Sequence, residues 1–344
     1  MSDSANTPKV SVILTTYNRA KFLREAIQSV LNQEFTEFEL LICDNASPDE
    51  TEQVVRSFTD HRIRYFRHPS NIGAFGNGKF GLARARGQYV TVFHDDDVMG
   101  PAHLAEAVRV LDEHPNVGFV HCKYNYINGD GVQIPGLGYP ADHDEDFIAD
   151  GHSYFERLVA KGNCVCCPTV VARRECHERL GPPDERLPCT NDYELWMRWS
   201  LFYDVAYLKA PNFQYRWHGQ NDYANYRETV NGHVQWYLAR KYVISKHPDK
   251  IPDGKALLAR VSRPCAREAL SVAYFRCIAG RRKEALRYAG FALKISPQCV
   301  FDPCMRSFAA RLVLGKFRFP IDMAKWFARM VRTTFDVSTS GRVC

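Results

Sequence analysis

YVTVFHDDDVMGP, residues 89–101, reads as an apolar strand, Tyr89 to Phe93, that runs into His94 and three consecutive aspartates, Asp95, Asp96 and Asp97, before Pro101 opens the next helix. Carboxylates crowded at the exit of a buried strand repel one another, and they are costly unless a cation or a positively charged partner offsets them. The stretch is therefore a metal-site candidate. Its strand, polar turn and helix are also one unit of a longer alternation. Lys9 to Leu14 is an apolar run, followed by an amphipathic stretch from Lys21 to Gln33 with Phe22, Ala26, Ile27, Val30 and Leu31 on one face. Phe38 to Cys43 is the next strand, and Ser47, Pro48, Asp49 and Glu50 read as a capping box with proline at the first helical position. Ile63 to Phe66 is a third strand and residues about 75 to 86 a helix; Pro101 to Glu113 is a helix and Val117 to Cys122 a strand. Repeated strand and helix predict an α/β fold, a mostly parallel, Rossmann-like sheet with helices on both faces.

In such sheets ligands gather at the carboxyl ends of the strands. Thr15, Thr16, Tyr17, Asn18 and Arg19 follow the first strand, Asp44 and Asn45 the second, and His94 with the aspartates the fourth. Each is an ordinary turn residue by itself; three such groups on one edge point to a site. Asn128 to Gly151 is rich in Gly, Pro and Asp and reads as a long loop. Helices are expected at Ser153 to Lys161 and Asp192 to Phe202, the second with Leu195, Trp196 and Trp199 as its apolar face, and strands at Pro168 to Ala172, Val205 to Leu208 and Asn212 to Trp217.

The 344 residues, 45% apolar and 24% charged, suit a globular protein with one domain and an appendage or two domains. No window approaches eighteen uninterrupted apolar residues, and Met1 to Thr7 is polar, so a cytoplasmic location is expected. The twelve cysteines are scattered, Cys164, Cys166 and Cys167 lacking the spacing of zinc or redox pairs, which predicts free thiols. The net charge of +6 conceals an asymmetry: Gly254 to Cys344 holds 18 Lys and Arg against 5 Asp and Glu, a net +13, so the first 253 residues carry −7. After about His233 the pattern is helical. Ala273 to Pro297 has the small-residue offsets of one tetratricopeptide-type hairpin, and Ala309 to Phe335 is a basic amphipathic segment. A division into residues 1–232 and a basic helical appendage, 233–344, follows. The basic appendage suits an anionic surface such as phospholipid or nucleic acid; its amphipathic segment either lies on a membrane, which would make the protein peripheral at the inner face, or docks its apolar face on the domain.

VSVILTTYNRAKFLREAIQSVLNQ at 10–33, ELLICDNASPDET at 39–51, HDDDVMGP at 94–101, NDYELWMRWS at 191–200 and YRWHGQN at 215–221 together resemble an inverting family 2 glycosyltransferase of the GT-A fold, over about two thirds of the chain. The resemblance implies transfer of a sugar from a nucleotide diphosphate sugar, a UDP-sugar by preference, to a glycan or glycolipid hydroxyl in cell-surface polysaccharide or glycolipid synthesis. A divalent metal, Mn²⁺ or Mg²⁺, is implied and no nucleic acid partner. Carried over residue by residue, Thr15, Tyr17 and Arg19 line the nucleotide pocket, Asp44 binds base or ribose, and Asp95 lies near the donor. Asp96 and Asp97, with His218, belong to the metal, and Asp192 is the general base. His94 stands where the family places another aspartate, which favours manganese; Asn191 replaces the glutamate beside the base, and Lys79 offers a positive charge where the family often has arginine. The QxxRW element of processive synthases is missing, so one sugar per event is implied. A nucleotidyltransferase or other nucleotide-sugar enzyme on a similar sheet is an alternative, although TTYNR stands where a glycine-rich phosphate loop would be. An inactive binding module is another.

Overall fold

The computed structural model describes residues 7–135, 144–218 and 230–314. The first half alternates as the sequence predicts: β1 (Val10–Thr16), α1 (Ala20–Leu31), β2 (Phe38–Asp44), α2 (Thr51–Arg56), β3 (Ile63–Arg67), α3 (Gly73–Leu82), β4 (Tyr89–His94), β5 (Val98–Met99), α4 (His103–Glu113) and β6 (Val117–Cys122). There follow β7 (Asn125–Ile127), β8 (Phe147–Ala149), α5 (Gly151–Lys161), β9 (Val171–Arg173), α6 (Arg174–Leu180), α7 (Asn191–Ser200), β10 (Asp204–Leu208) and β11 (Phe213–Arg216). The main sheet has eight strands in the order β3-β2-β1-β4-β9-β6-β10-β8. β3, β2, β1 and β4 are mutually parallel, as are β6 and β10, while β9 and β8 pair antiparallel with their neighbours.

The central strands read as continuous apolar runs because both of their faces are covered. On one face Val10, Val12, Leu14, Leu40 and Ile42 pack with Leu23, Ala26, Ile27 and Val30 of α1 and with Leu104, Ala107 and Leu111 of α4. On the other, Ile13, Leu41, Cys43 and Val90 meet Phe80 of α3. Each such fully buried aliphatic side chain contributes about 1.5–3 kcal/mol. The buried face of α1 uses Leu23 in place of the expected Phe22, which is only half-buried and turns towards β11.

The capping box does not form. The helix starts at Thr51 with Glu50 as its cap and no side-chain cap bond. Ser47 Oγ instead accepts the Asn18 N–H at 3.0 Å, and the Asp49 carboxylate accepts those of Ala20 (2.9 Å) and Thr51 (3.2 Å). The polar side chains thus bind the turn after β1 to the turn after β2. The expected strand at Pro168 to Ala172 is a 3₁₀ turn, Cys167–Thr169, leading into β9. The cysteines among the described residues are free, as expected.

A second sheet of three short strands, β5-β11-β7, returns the chain from α7 and β10 to the acidic turn. The helical region comprises α8 (Val230–Lys246), α9 (Gly254–Ile278), α10 (Arg282–Ile295) and α11 (Pro303–Leu314). α8 and the first turns of α9 share a core with α5 and α7 through Ala239, Val243, Ile244, Leu257 and Val261. Ala266 onward belongs to a separate cluster with α10 and α11. No helix among the described residues is long and apolar enough to cross a membrane. Residues 136–143 of the expected long loop, Gly219 to Asn221 of the YRWHGQN element, and 315–344, which hold most of the basic amphipathic segment, lie outside the described residues.

Candidate active site

Strand register brings the polar ends of β1, β2 and β4 level with one another. Thr16 pairs with Asp44, and Thr15 lies between Cys43 and His94. Past these ends the backbone turns sharply, with Asn18 at φ +55° and Ala46 at φ +62°. A non-glycine residue in the left-handed region is strained by about 1 kcal/mol or more and persists only where its surroundings hold it. Here the Asn18 N–H is held by Ser47 Oγ and the Ser47 N–H by Asp44 Oδ1 at 2.8 Å. Asp44 is fully buried, and its other oxygen accepts the Tyr65 hydroxyl at 2.7 Å. Tyr17 leaves its ring exposed while its N–H bonds Asp95 Oδ2 at 3.2 Å.

All three aspartates are buried, and each has different neighbours. Arg19 Nη1 lies 3.2 Å from Asp95 Oδ1 and 2.8 Å from Asp96 Oδ2. His218 Nε2 is 2.9 Å from the same Asp96 oxygen. Asp97 Oδ1 accepts the Arg216 N–H at 2.8 Å, whereas its Oδ2 has no hydrogen-bond partner and sits 3.7 Å from His94 Nδ1. Burial opposes ionisation of Asp96, but the His218 hydrogen bond and the Arg19 charge outweigh it and hold the carboxyl below its ordinary range. Burial, then the charge of Asp96, raises Asp95 to about 6, and the same two causes push Asp97 well upward.

A group that keeps one buried carboxylate oxygen unpartnered and raises two of three acids calls for positive charge. His94, Asp96 and Asp97 each offer one ligand atom, all within 4.8 Å of one another. One imidazole and two carboxylates are a donor set suited to Mn²⁺ and acceptable to Mg²⁺, so the residues fit a divalent ion. His218, expected among the ligands, hydrogen-bonds Asp96 and stacks on Phe22 with centroids 5.1 Å apart.

Asp192 lies on the first turn of α7. Its Oδ1 accepts the Tyr193 N–H at 2.7 Å and its Oδ2 the Asn163 amide at 3.1 Å. Asn163 can face it because Gly162, at φ +99°, turns the chain sharply after α5. Burial raises Asp192 to about 6 against those two hydrogen bonds. Burial, and after it the charges of Asp97 and Asp192, push the thiols of Cys166 and Cys167 up, so the 3₁₀ turn before β9 lies near both the acidic triplet and this carboxyl.

Sequence reasoning missed three members of this arrangement. Arg216 is buried and gives Nε to the Asp96 carbonyl (2.7 Å), Nη1 to that of Asn128 (3.0 Å) and Nη2 to Glu25 (2.5 Å), pinning the acidic turn to α1 and β7. Phe22 supplies the ring under His218, and Asn163 the partner of Asp192. Only Arg216 had a signal, an arginine at the end of an expected strand and within the YRWHGQN element. Lys79 lies on α3, which packs on β1 and β2.

A model of glycosyl transferase family 2 matches residues 11–181. An uncharacterized glycosyltransferase of Rickettsia felis is 27% identical over 235 residues, covering 67% of this chain and 38% of that protein. The GalNAc(5)-diNAcBac-PP-undecaprenol beta-1,3-glucosyltransferase of Campylobacter jejuni is 38% identical over 117 residues, 33% of this chain and 37% of its own. The chain thus spans less than half the length of either relative. Among solved structures, S. aureus TarS 1-349 in complex with UDP-GlcNAc is similar at a TM-score of 0.57 and 18% identity, over 84% of this chain and 92% of that one. The mannosyltransferase PcManGT of Pyrobaculum calidifontis, in complex with GDP-Man and Mn²⁺, is similar at 0.51 and 19%, over 86% and 88%. At these identities the likeness is one of fold.

Proposed function

The chain belongs to glycosyltransferase family 2, and from that premise we propose that it is a metal-dependent, inverting enzyme that moves one sugar from a nucleoside diphosphate sugar to an acceptor hydroxyl. The observation that carries this reading is the convergence of His94, Asp96 and Asp97 at the carboxyl edge of the sheet. UDP-GlcNAc and GDP-Man in the structural neighbours support a donor of this class. The undecaprenol-linked substrate in the Campylobacter enzyme's name supports a lipid-linked or cell-surface glycan as acceptor. Such an acceptor would place the protein at the inner face of a membrane, in cell-envelope polysaccharide or glycolipid synthesis.

In this reading the donor lies over the ends of β1, β2 and β4, with Thr15, Tyr17 and Arg19 around the nucleotide. Asp44, buried at the end of β2, supports the Ser47 turn and keeps acceptor capacity on its oxygens for the base or ribose. His94, Asp96 and Asp97 would hold a divalent ion, which when bound neutralises the diphosphate as it leaves. Arg19 lies beside Asp95 and Asp96 and is placed to add positive charge there. His218, resting on Phe22, orients Asp96. Asp192 takes the proton of the acceptor hydroxyl while that oxygen forms its bond to the anomeric carbon from the face opposite the diphosphate. The carbon–oxygen bond to phosphate breaks, the electron pair leaves with the nucleoside diphosphate, and the anomeric configuration inverts. A carboxyl raised to about 6 is a better proton acceptor than an ordinary aspartate and is still ionised at neutral pH.

A thermal-shift screen of UDP- and GDP-sugars with and without Mn²⁺ is the first test, since a ligand of the native state raises its melting temperature. Donors are expected to stabilise the protein only with the metal, and Asp96→Ala to abolish that dependence. Asp192→Asn should keep donor binding and lose transfer by at least about a hundredfold, the scale of general-base catalysis. Turnover near the wild-type rate in Asp192→Asn would remove the assignment of the base.

A further inference from the structure

The strongest feature outside the site is the outer face of the α9–α10 hairpin. Gly254 to Leu314 carries 12 Lys and Arg against 3 Asp and Glu. Each of those acids already faces a basic side chain: Glu268 lies 3.6 Å from His233, Glu284 2.9 Å from Arg281 and Asp302 2.9 Å from Arg267. The surplus charge rests on side chains without an acidic partner among the described residues, chiefly Arg260 and Arg263 on α9 and Arg282, Lys283, Arg287 and Lys294 on α10.

α10 buries Ala285, Tyr288, Ala289 and Ala292. Its opposite side presents Leu286 (51% exposed) and Leu293 (39%) among those cations, and just beyond it Phe301 is 82% exposed. Single exposed apolar residues are ordinary, but three large ones within a basic surface mark contact with something both apolar and anionic. A groove of about 930 Å³ runs between α9 and the end of α10 at Ile295 and Ser296, on the other flank of α10 from the leucines, because Ile295 lies about half a turn around the helix from Leu286 and Leu293. Arg260 and Arg263, one helical turn apart, line it together with Pro264 and Pro297.

We infer that the outer face of α10 docks on an anionic phospholipid bilayer, with Arg282, Lys283, Arg287 and Lys294 meeting lipid phosphates and Leu286 and Leu293, with Phe301 just beyond the helix, entering the acyl boundary. Nucleic acid shares the negative charge, but two of the three exposed apolar side chains are aliphatic and offer bases no ring to stack on. The inference gives a surface to the membrane-borne acceptor proposed above, yet it stands on the hairpin alone, so the test reads binding and not turnover.

The full chain is sedimented with phosphatidylcholine vesicles with and without phosphatidylglycerol. It is expected to pellet only with the anionic vesicles, and less so as salt rises. A basic side chain near such a surface is worth about fivefold in affinity. Arg287→Glu with Lys294→Glu should therefore weaken binding by about 25-fold or more, and Leu286→Ser, Leu293→Ser and Phe301→Ser together should weaken it at unchanged charge. These positions are exposed, so melting temperatures should stay near that of the wild type, and donor binding should be intact. Binding that survives both sets of substitutions would overturn the inference, because residues 315–344 would then carry it. Complete displacement by inorganic phosphate, or binding of single-stranded RNA in place of vesicles, would overturn it as well.

Discussion

Asp192 has two hydrogen-bond donors, the Tyr193 N–H and the Asn163 amide, and both favour its charged form, yet burial still raises it to about 6. A base must be ionised to accept a proton, so kcat should fall as pH drops through about 6 and level off above it. Asn163→Ala removes one hydrogen bond to the carboxylate, which raises the Asp192 pKa further and moves that limb to higher pH while donor affinity holds. An unmoved limb in a pH profile of Asn163→Ala would detach the titration from Asp192. At this scale the sequence was informative where residue type and position coincide. The aspartates, Arg19 and His218 were found from strand ends and motif order, and the structure brings them together around Asp95 and Asp96. Asn163 was not legible, because an asparagine 29 residues before its partner has no pattern; only the turn at Gly162 gives it a direction.

Among the secondary-structure elements, the end of the sheet opposite the site is joined by one buried carboxylate. Glu39 on β2 accepts Ser11 Oγ of β1 at 2.7 Å, Arg64 Nη1 of β3 at 2.6 Å, and the N–H and Nε of Arg86, ahead of β4, at 2.9 and 3.0 Å. Burial opposes its charge, but these donors together outweigh it and hold the carboxyl below its ordinary range. Removing one partner of a buried ion network typically costs 3–5 kcal/mol. Arg64 and Arg86 can return to water, so Glu39→Ala should cost about 3 kcal/mol in urea unfolding at neutral pH while donor binding is kept. A carboxyl depressed by folding contributes stability above its unfolded pKa and loses it as pH falls through the folded value. The gap between wild type and Glu39→Ala should accordingly narrow in acid; a constant gap would mean that packing, not charge, is what Glu39 supplies. Strand and helix order was legible from periodicity. The false capping box shows the limit: Ser47 and Asp49 are good cap residues, but they reach the N–H groups of Asn18 and Ala20 first, and no local pattern records that competition.

For the whole molecule, the parallel half of the sheet follows from alternation, whereas the small sheet β5-β11-β7 does not. Its strands are two to four residues long and their partners 89 residues apart or more, Gln214 pairing with Asn125 and Phe213 with Met99, yet this sheet carries Arg216 and His218 to the acidic turn. The helical region poses the same problem of reach. A sequence boundary at 232 follows the change in pattern, but packing runs across it: Ala239, Val243 and Ile244 of α8 bury against the core of α5 and α7, and Leu257 and Val261 extend that core into α9. The break in packing comes five residues later, where Ala266 opens the third cluster, and Pro264 lies inside the helix between the two. Proline there removes a backbone donor and weakens the continuity of the helix. Two truncations separate these boundaries. A chain ending at residue 232 would expose the aromatic side of α7, including Tyr193, which packs on Trp236 at 4.9 Å, and should aggregate or fail to melt cooperatively. A chain ending at residue 264 keeps the second core whole, and should melt cooperatively and bind the same nucleotide sugar as the full chain while losing the α10 face and, with it, attachment to anionic vesicles. If the shorter chain folded as well as the longer one, α8 would be an attachment to the catalytic unit and not part of its core.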